Sequence, residues 1–199
     1  MEFDVDTTCP WAVSWTVREP MRRSSHALAA DGQVWLVDPV DCPEALAAAE
    51  KLGTVTGVVK LLDRHPRDCQ TLAERYGAGL HELPGQLPGT PFECFSMVRA
   101  PGWKEMALWW PEHEALLVAE SVGTGPYFAV AGRPAGIHPM LRVRPPGALR
   151  AHRPRHLLPG HGPPLHRGAD VALADALSRS RRDLPRAMAA AVGAYLPGR

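Results

Sequence analysis

Between an apolar run ending at Leu62 and a polar segment that continues past Cys69, the chain reads Asp63-Arg64-His65-Pro66-Arg67-Asp68. Two carboxylates and an imidazole in so short a stretch are residue types that bind divalent cations. Arg67 stands among them, and a guanidinium is permanently charged and cannot be a ligand. The segment therefore looks like a metal-binding loop whose ligands have been partly replaced. Far along the chain, Leu157-Leu158-Pro159-Gly160-His161-Gly162 places a second imidazole in a Gly-His-Gly turn. Val118-Ala119-Glu120-Ser121 places a carboxylate after an apolar run.

Elements of definite kinds are needed to bring such distant residues together. Trp11 to Val17, His26 to Ala30 and Gln33 to Val37 read as strands, and Asp31-Gly32 reads as the hairpin turn between the last two. The stretch Asp41-Cys42-Pro43-Glu44 offers an N-cap side chain, a first-turn proline and an acidic first turn, so a helix is expected to continue over Ala45 to Leu52 and stop at Gly53. Val55 to Leu62 is apolar almost throughout, as a strand buried on both faces would be. A helix is expected from Pro66 to Tyr76, ended by Gly77. Glu93 to Val98, Met106 to Trp110 and Ala115 to Ala119 read as antiparallel strands, the last two joined by a turn at Pro111 to Glu114. Two helical segments, Ala169 to Arg182 and Leu184 to Tyr195, follow two long loops at Leu83 to Pro91 and Pro134 to Pro154. Pattern alone supports a mixed α/β class.

Order and spacing add to this. Val34-Trp35-Leu36-Val37-Asp38-Pro39, the Asp63 to Asp68 segment and the Gly-His-Gly turn together resemble the metallo-β-lactamase superfamily, over roughly residues 10 to 180. In that superfamily an early strand ends in Asp, the next ends in H-x-H-x-D-H, an Asp follows a later strand, and a Gly-His-Gly turn closes the site. The resemblance implies an αββα sandwich of two mixed β-sheets flanked by helices, as a single domain over residues 1–199. It also implies a candidate ligand set. His65 and His161 match in kind, Asp63, Asp68 and Glu120 are further oxygen donors, and Trp103 stands where a later histidine is usual. Asp38, Arg67 and Trp103 are expected to line the pocket.

Two consequences of that frame stay open. Arg67 in place of a carboxylate repels a second cation, so one divalent metal is the most that is expected, with zinc, manganese or iron all compatible with a donor set rich in carboxylates. Alternatively no metal binds, and Arg67 pairs with Asp63, Asp68 or Glu120 as an internal cation. The function expected is that of a ligand- or protein-binding module with an eroded metal site and marginal or no activity. The alternative is a mononuclear hydrolase of an ester, thioester, lactone or phosphoester.

Other features narrow the field. With 22 basic against 21 acidic residues, nothing in the overall charge points to nucleic acid or an acidic membrane surface as partner. The acidic start of the chain lacks the pattern of a secretory leader, and no apolar run reaches the ~20 residues of a membrane span. A cytoplasmic location is expected, with an unknown small molecule or protein as partner. Cys9, Cys42, Cys69 and Cys94 are scattered with no C-x-x-C pair, so free buried thiols are expected. His152, His156, His161 and His166 cluster in a proline-rich stretch, but their spacing matches no defined zinc motif. Ser121 lacks the first glycine of a G-x-S-x-G elbow, and Trp109 and Trp110 are expected to pack on opposite faces of a strand.

Overall fold

The first half of the chain builds one sheet around the Asp31-Gly32 hairpin. A computed structural model of the protein describes residues 1–65 and 67–195, with side chains as far as residue 192. In it β1 (Phe3–Asp6), β2 (Ala12–Val17), β3 (Ser24–Ala30), β4 (Gln33–Val37), β5 (Thr54–Lys60) and β6 (Gly79–Glu82) lie side by side in chain order. The first four run antiparallel, and β4, β5 and β6 are parallel. Asp31 and Gly32 have φ of 50° and 73°, the pair of positive angles that a two-residue turn needs to match strand twist.

Parallel pairing requires crossovers, and two helices supply them. Helix α1 (Pro43–Glu50) begins with its proline in the first turn, but its N-cap residue is Cys42 and no side chain caps it. The Asp41 carboxylate expected nearby accepts instead from Arg75. Helix α2 (Cys69–Tyr76) starts three residues later than the sequence suggests. Arg67 has φ of 44°, which no right-handed helix admits, and Pro66 lies outside the described residues. Gly77 ends α2 in the left-handed conformation, as expected.

The second sheet contains β7 (Glu93–Ala100), β8 (Trp103–Trp110), β9 (Ala115–Val118) and, on the far side of β9, the last strand among the described residues, β12 (His156–Pro159). Strand β12 runs parallel to β9, the other pairs antiparallel, so both sheets are mixed. A two-stranded ladder, β10 (Val122–Gly123) with β11 (Gly136–Ile137), precedes β12 in the chain, and α3 (Ala169–Arg179) and α4 (Leu184–Tyr195) close it.

Three apolar layers hold these elements together. Leu28, Trp35, Val37 and Val59 of the first sheet meet Leu108, Trp110, Leu117 and Leu158 of the second. Val34, Leu36 and Val58 turn the opposite way, onto Ala45, Leu46 and Ala49 of α1 and Leu72 of α2. Ala172, Leu173 and Ala176 of α3 cover Leu116, Val118 and Leu157. The layers are helix, sheet, sheet, helix, which is the αββα sandwich. Trp110 sits in the central layer while Trp109, its neighbour on the pleat, packs toward α3. The described cysteines are all free thiols, three of them buried. No helix among the described residues is long and apolar enough to cross a membrane.

Candidate metal centre

Three loops meet at one edge of the sandwich. His65 lies on the loop after β5, Glu120 is the second residue after β9, and His161 the second after β12. Because β9 and β12 are parallel neighbours, the chain leaves both at the same end of the sheet. The first sheet contributes the third loop, which is tied to the second sheet by a bridge between Leu62 and Glu105. One ligand atom from each of His65, Glu120 and His161 comes within 4.8 Å of the other two.

The tautomer of His161 is set by its surroundings. Nδ1 lies 2.8 Å from the carbonyl oxygen of Met21, which can only accept, so Nδ1 carries the proton and Nε2 presents a lone pair. That Nε2 is enclosed and has no hydrogen-bond partner. Burial, with the nearby charge of Arg67, pushes the His161 pKa down to about 3, so the ring is neutral. Its ring centre is 5.4 Å from that of His65. Burial alone would push the Glu120 carboxyl up, but the hydrogen bond and charge of His65, then His138 and Arg64, hold it down to about 2. An anionic carboxylate, an unpaired imidazole lone pair and a second imidazole facing each other form a donor set that a cation would satisfy.

The carboxylate is already half engaged. Oε1 of Glu120 lies 3.4 Å from Nε2 of His65, while Oε2 pairs with the guanidinium of Arg64. Arg64 in turn donates to the carbonyl of Gly102 at 2.9 Å and lies 4.1 Å over the ring of Trp103. Beneath them Glu105, fully buried, accepts from the backbone N–H groups of Glu120 and Ser121 at 2.9 Å each, from the Ser121 hydroxyl at 2.7 Å and from the Trp103 indole at 3.3 Å. Burial raises the Glu105 pKa, and these four donors oppose that rise. Glu105 thereby fixes the direction in which Glu120 leaves β9.

Arg67 holds the same edge together from the other side. Its guanidinium donates to the carbonyls of Ser24, Asp38 at 2.8 Å and Gly160 at 2.9 Å, one from each of three segments that meet there. Gly160 packs so closely that a side chain's first carbon would lie 2.3 Å from the carbonyl oxygen of Ala119, which explains the glycine before His161.

No family model matches the chain, and no curated protein matches it in sequence. A metallo-β-lactamase from Erythrobacter litoralis is 12% identical over 91% of this chain and 93% of its own, with a TM-score of 0.59. A metallo-β-lactamase from Hirschia baltica is 12% identical over 89% and 98%, with a TM-score of 0.57. A diflavin flavoprotein fragment from Nostoc sp. PCC 7120 is 12% identical over 91% and 97%, at 0.61. The chain has the metallo-β-lactamase fold. Identities this low speak for the fold alone.

On this metallo-β-lactamase fold the five expected donors separate. His65, Glu120 and His161 converge as described. Asp63 is turned to β8, where its Oδ2 accepts from the Lys104 N–H at 3.0 Å. Asp68 accepts from the Asp41 N–H at 2.7 Å, and neither carboxylate belongs to the converging group. Asp38 is buried, its carboxylate accepting from the Leu61 N–H at 3.0 Å, so it anchors the loop that carries His65 instead of lining a ligand pocket. Arg67 bonds to carbonyls, and the pairing with Asp63, Asp68 or Glu120 is not what its guanidinium does. The internal cation on Glu120 is Arg64. Trp103 stands beside the centre, against Arg64 and edge-on to His138.

Arg64, Glu105 and His138 are the participants that sequence reasoning missed. Arg64 was in plain view between the candidate donors, but nothing in the order of residues says which of two arginines faces a carboxylate. His138 lies in the long proline-rich loop and has no motif. Its Nδ1 accepts from the Met140 N–H at 3.2 Å and its Nε2 faces the Tyr127 hydroxyl at 3.4 Å, so no lone pair is left for a cation.

Proposed function

We propose that this protein is a metal-dependent ligand-binding module of metallo-β-lactamase fold, with one divalent cation held by His65, Glu120 and His161 and with marginal or no turnover. The observation that carries the reading is the division of the Glu120 carboxylate. One oxygen faces the two imidazoles, and the other is bound by Arg64. A built-in guanidinium next to the first cation position repels a second cation. Two imidazoles and one carboxylate suit zinc, manganese or iron. Bound there, the cation would supply a Lewis acid that polarises an oxygen or nitrogen of the ligand.

The residues around it define what could be held. His65, Arg23, Arg64 and Arg67 line a cavity of about 440 Å³, and Asp68 is the carboxylate on its wall. A small anionic ligand fits that balance of charge. Glu120 and His161 are only 7% and 2% exposed, so a ligand would reach the centre past His65.

Metal content of tag-free protein, by inductively coupled plasma mass spectrometry after incubation with zinc, manganese or iron, tests the reading. Wild type is expected to hold one equivalent more than His161→Ala. Equal metal in the two would overturn it. A second reading, a mononuclear hydrolase, is favoured by the same donor count, because three protein ligands leave a coordination position open. Turnover of an ester, thioester, lactone or phosphoester that disappears in both His65→Ala and His161→Ala would put that reading first.

A further inference from the structure

A second group of donors, separate from the His65 centre, lies elsewhere against the second sheet. Cys9 sits in the connection between β1 and β2, His156 opens β12, and His166 follows it. Leu157 and Leu165 exchange both backbone hydrogen bonds at 2.9 Å, and the next pair outward in that register is His156 with His166. Strand pairing, not helical spacing, therefore brings the two imidazoles together. The Cys9 sulfur joins them from 147 and 157 residues away.

The distances are those of a coordination shell. Nδ1 of His156 and Nδ1 of His166 are 3.0 Å apart, and the sulfur is 3.7 Å from the first and 3.5 Å from the second. A tetrahedral zinc with bonds of about 2.05 Å to nitrogen and 2.3 Å to sulfur would set its nitrogens about 3.3 Å apart and each nitrogen about 3.6 Å from the sulfur. Asp6 completes the arrangement. Its Oδ1 lies 3.3 Å from Nε2 of His166, so that nitrogen holds the proton and Nδ1 turns its lone pair to the group. Trp11 meets the His156 ring edge-on at 5.2 Å and holds it in place. All three donors line a solvent-reaching cavity of about 820 Å³, from which a fourth ligand could enter.

We infer that Cys9, His156 and His166 form a zinc site, independent of the His65 centre, that clips the start of the first sheet to the edge strand of the second. A thiolate with two imidazoles selects a borderline or soft cation over magnesium or calcium. Zinc binding releases the thiol proton of Cys9 to solvent, and the thiolate so formed is the sulfur ligand. Asp6 is a positioning residue here.

Cobalt(II) is the probe that separates the two centres, because only the site with sulfur gives a thiolate-to-cobalt charge-transfer band in the near ultraviolet. Titrating chelator-stripped, reduced, tag-free protein should give that band, saturating at one equivalent. The band should persist in His161→Ala and vanish in Cys9→Ser. His166→Ala should weaken cobalt binding by at least ~100-fold, and Asp6→Asn by roughly 10-fold. With zinc about 100-fold above Kd, the thermal midpoint should rise by roughly 5–10 °C in His161→Ala, where the His65 centre is broken, and not in the double variant Cys9→Ser/His161→Ala. A wild-type protein without the sulfur band, or a band that survives Cys9→Ser, would overturn the inference. If Cys9→Ser does not fold, His166→Ala decides it: unchanged cobalt affinity there refutes the site, and the stated loss supports it.

Discussion

Arg64 competes with any metal for Glu120, and removing it should show how strongly. In Arg64→Ala the Oε2 of Glu120 loses its guanidinium partner and a positive charge near the His65 centre disappears. Metal affinity at that centre is expected to rise by about 10-fold, roughly 1.4 kcal/mol, by isothermal titration of zinc in the Cys9→Ser background. No gain would mean that Arg64 and the cation do not share Glu120. Glu105 offers a second test at this scale. Glu105→Gln keeps the shape but turns an acceptor of four hydrogen bonds into a group with donors of its own, which face N–H and O–H groups. A loss of about 1–3 kcal/mol in urea unfolding is expected. These two residues also mark the limit of what was legible. Donor types and the Gly-His-Gly turn pointed at His65, Glu120 and His161. Which arginine meets Glu120, and that Glu105 orients it, depend on side-chain directions set only by packing.

The elements that read most clearly are those whose local chemistry and tertiary place agree. The Asp31-Gly32 hairpin and Gln33–Val37 stand where the sequence puts them, and β5 is apolar because it lies between two parallel neighbours with helices on one face and a sheet on the other. Strands β1 and β6 are hard to read in the sequence because both are partly exposed edges of four residues with charged side chains, and the alternation Phe3-Asp4-Val5-Asp6 is too short to stand out. The start of α2 was misjudged because Pro66 suggests a first turn, while the positive φ of Arg67 forbids one at that point. The contact between β9 and β12 yields a further prediction. Gly160→Ala forces a methyl group onto the Ala119 carbonyl and should cost about 2–3 kcal/mol in stability, with weaker metal binding at His161. Wild-type stability in that variant would refute the close approach.

Across the whole molecule, the two sheets are joined by polar contacts as well as by the apolar layer. Arg67→Ala leaves the Ser24, Asp38 and Gly160 carbonyls without their donor and is expected to cost about 2–4 kcal/mol in denaturant unfolding. Arg67→Lys should recover little, since one ammonium cannot reproduce the fork. His26 makes a second link. Its Nε2 donates to the Pro159 carbonyl at 3.0 Å and its Nδ1 accepts from the Ser14 hydroxyl at 2.8 Å. Burial lowers its pKa from 6.5 to about 3. The unfolded chain therefore binds this proton at a higher pH than the native one, and stability falls as pH drops from about 6.5 toward 3. The slope from this residue is at most about 1.4 kcal/mol per pH unit, and urea titrations of wild type against His26→Asn would measure it.

Strand β12 acts as a ruler. His156 starts it and His161 comes two residues after its end, so two donor groups are gauged from one four-residue element. Its composition can drift as long as Leu157 and Leu158 stay apolar, but its length cannot. Inserting or deleting a single residue turns every side chain beyond the change to the opposite face, and no shift of register restores both ends. Among proteins built this way, changes of chain length should gather in the loops on either side of β12 and spare the strand itself.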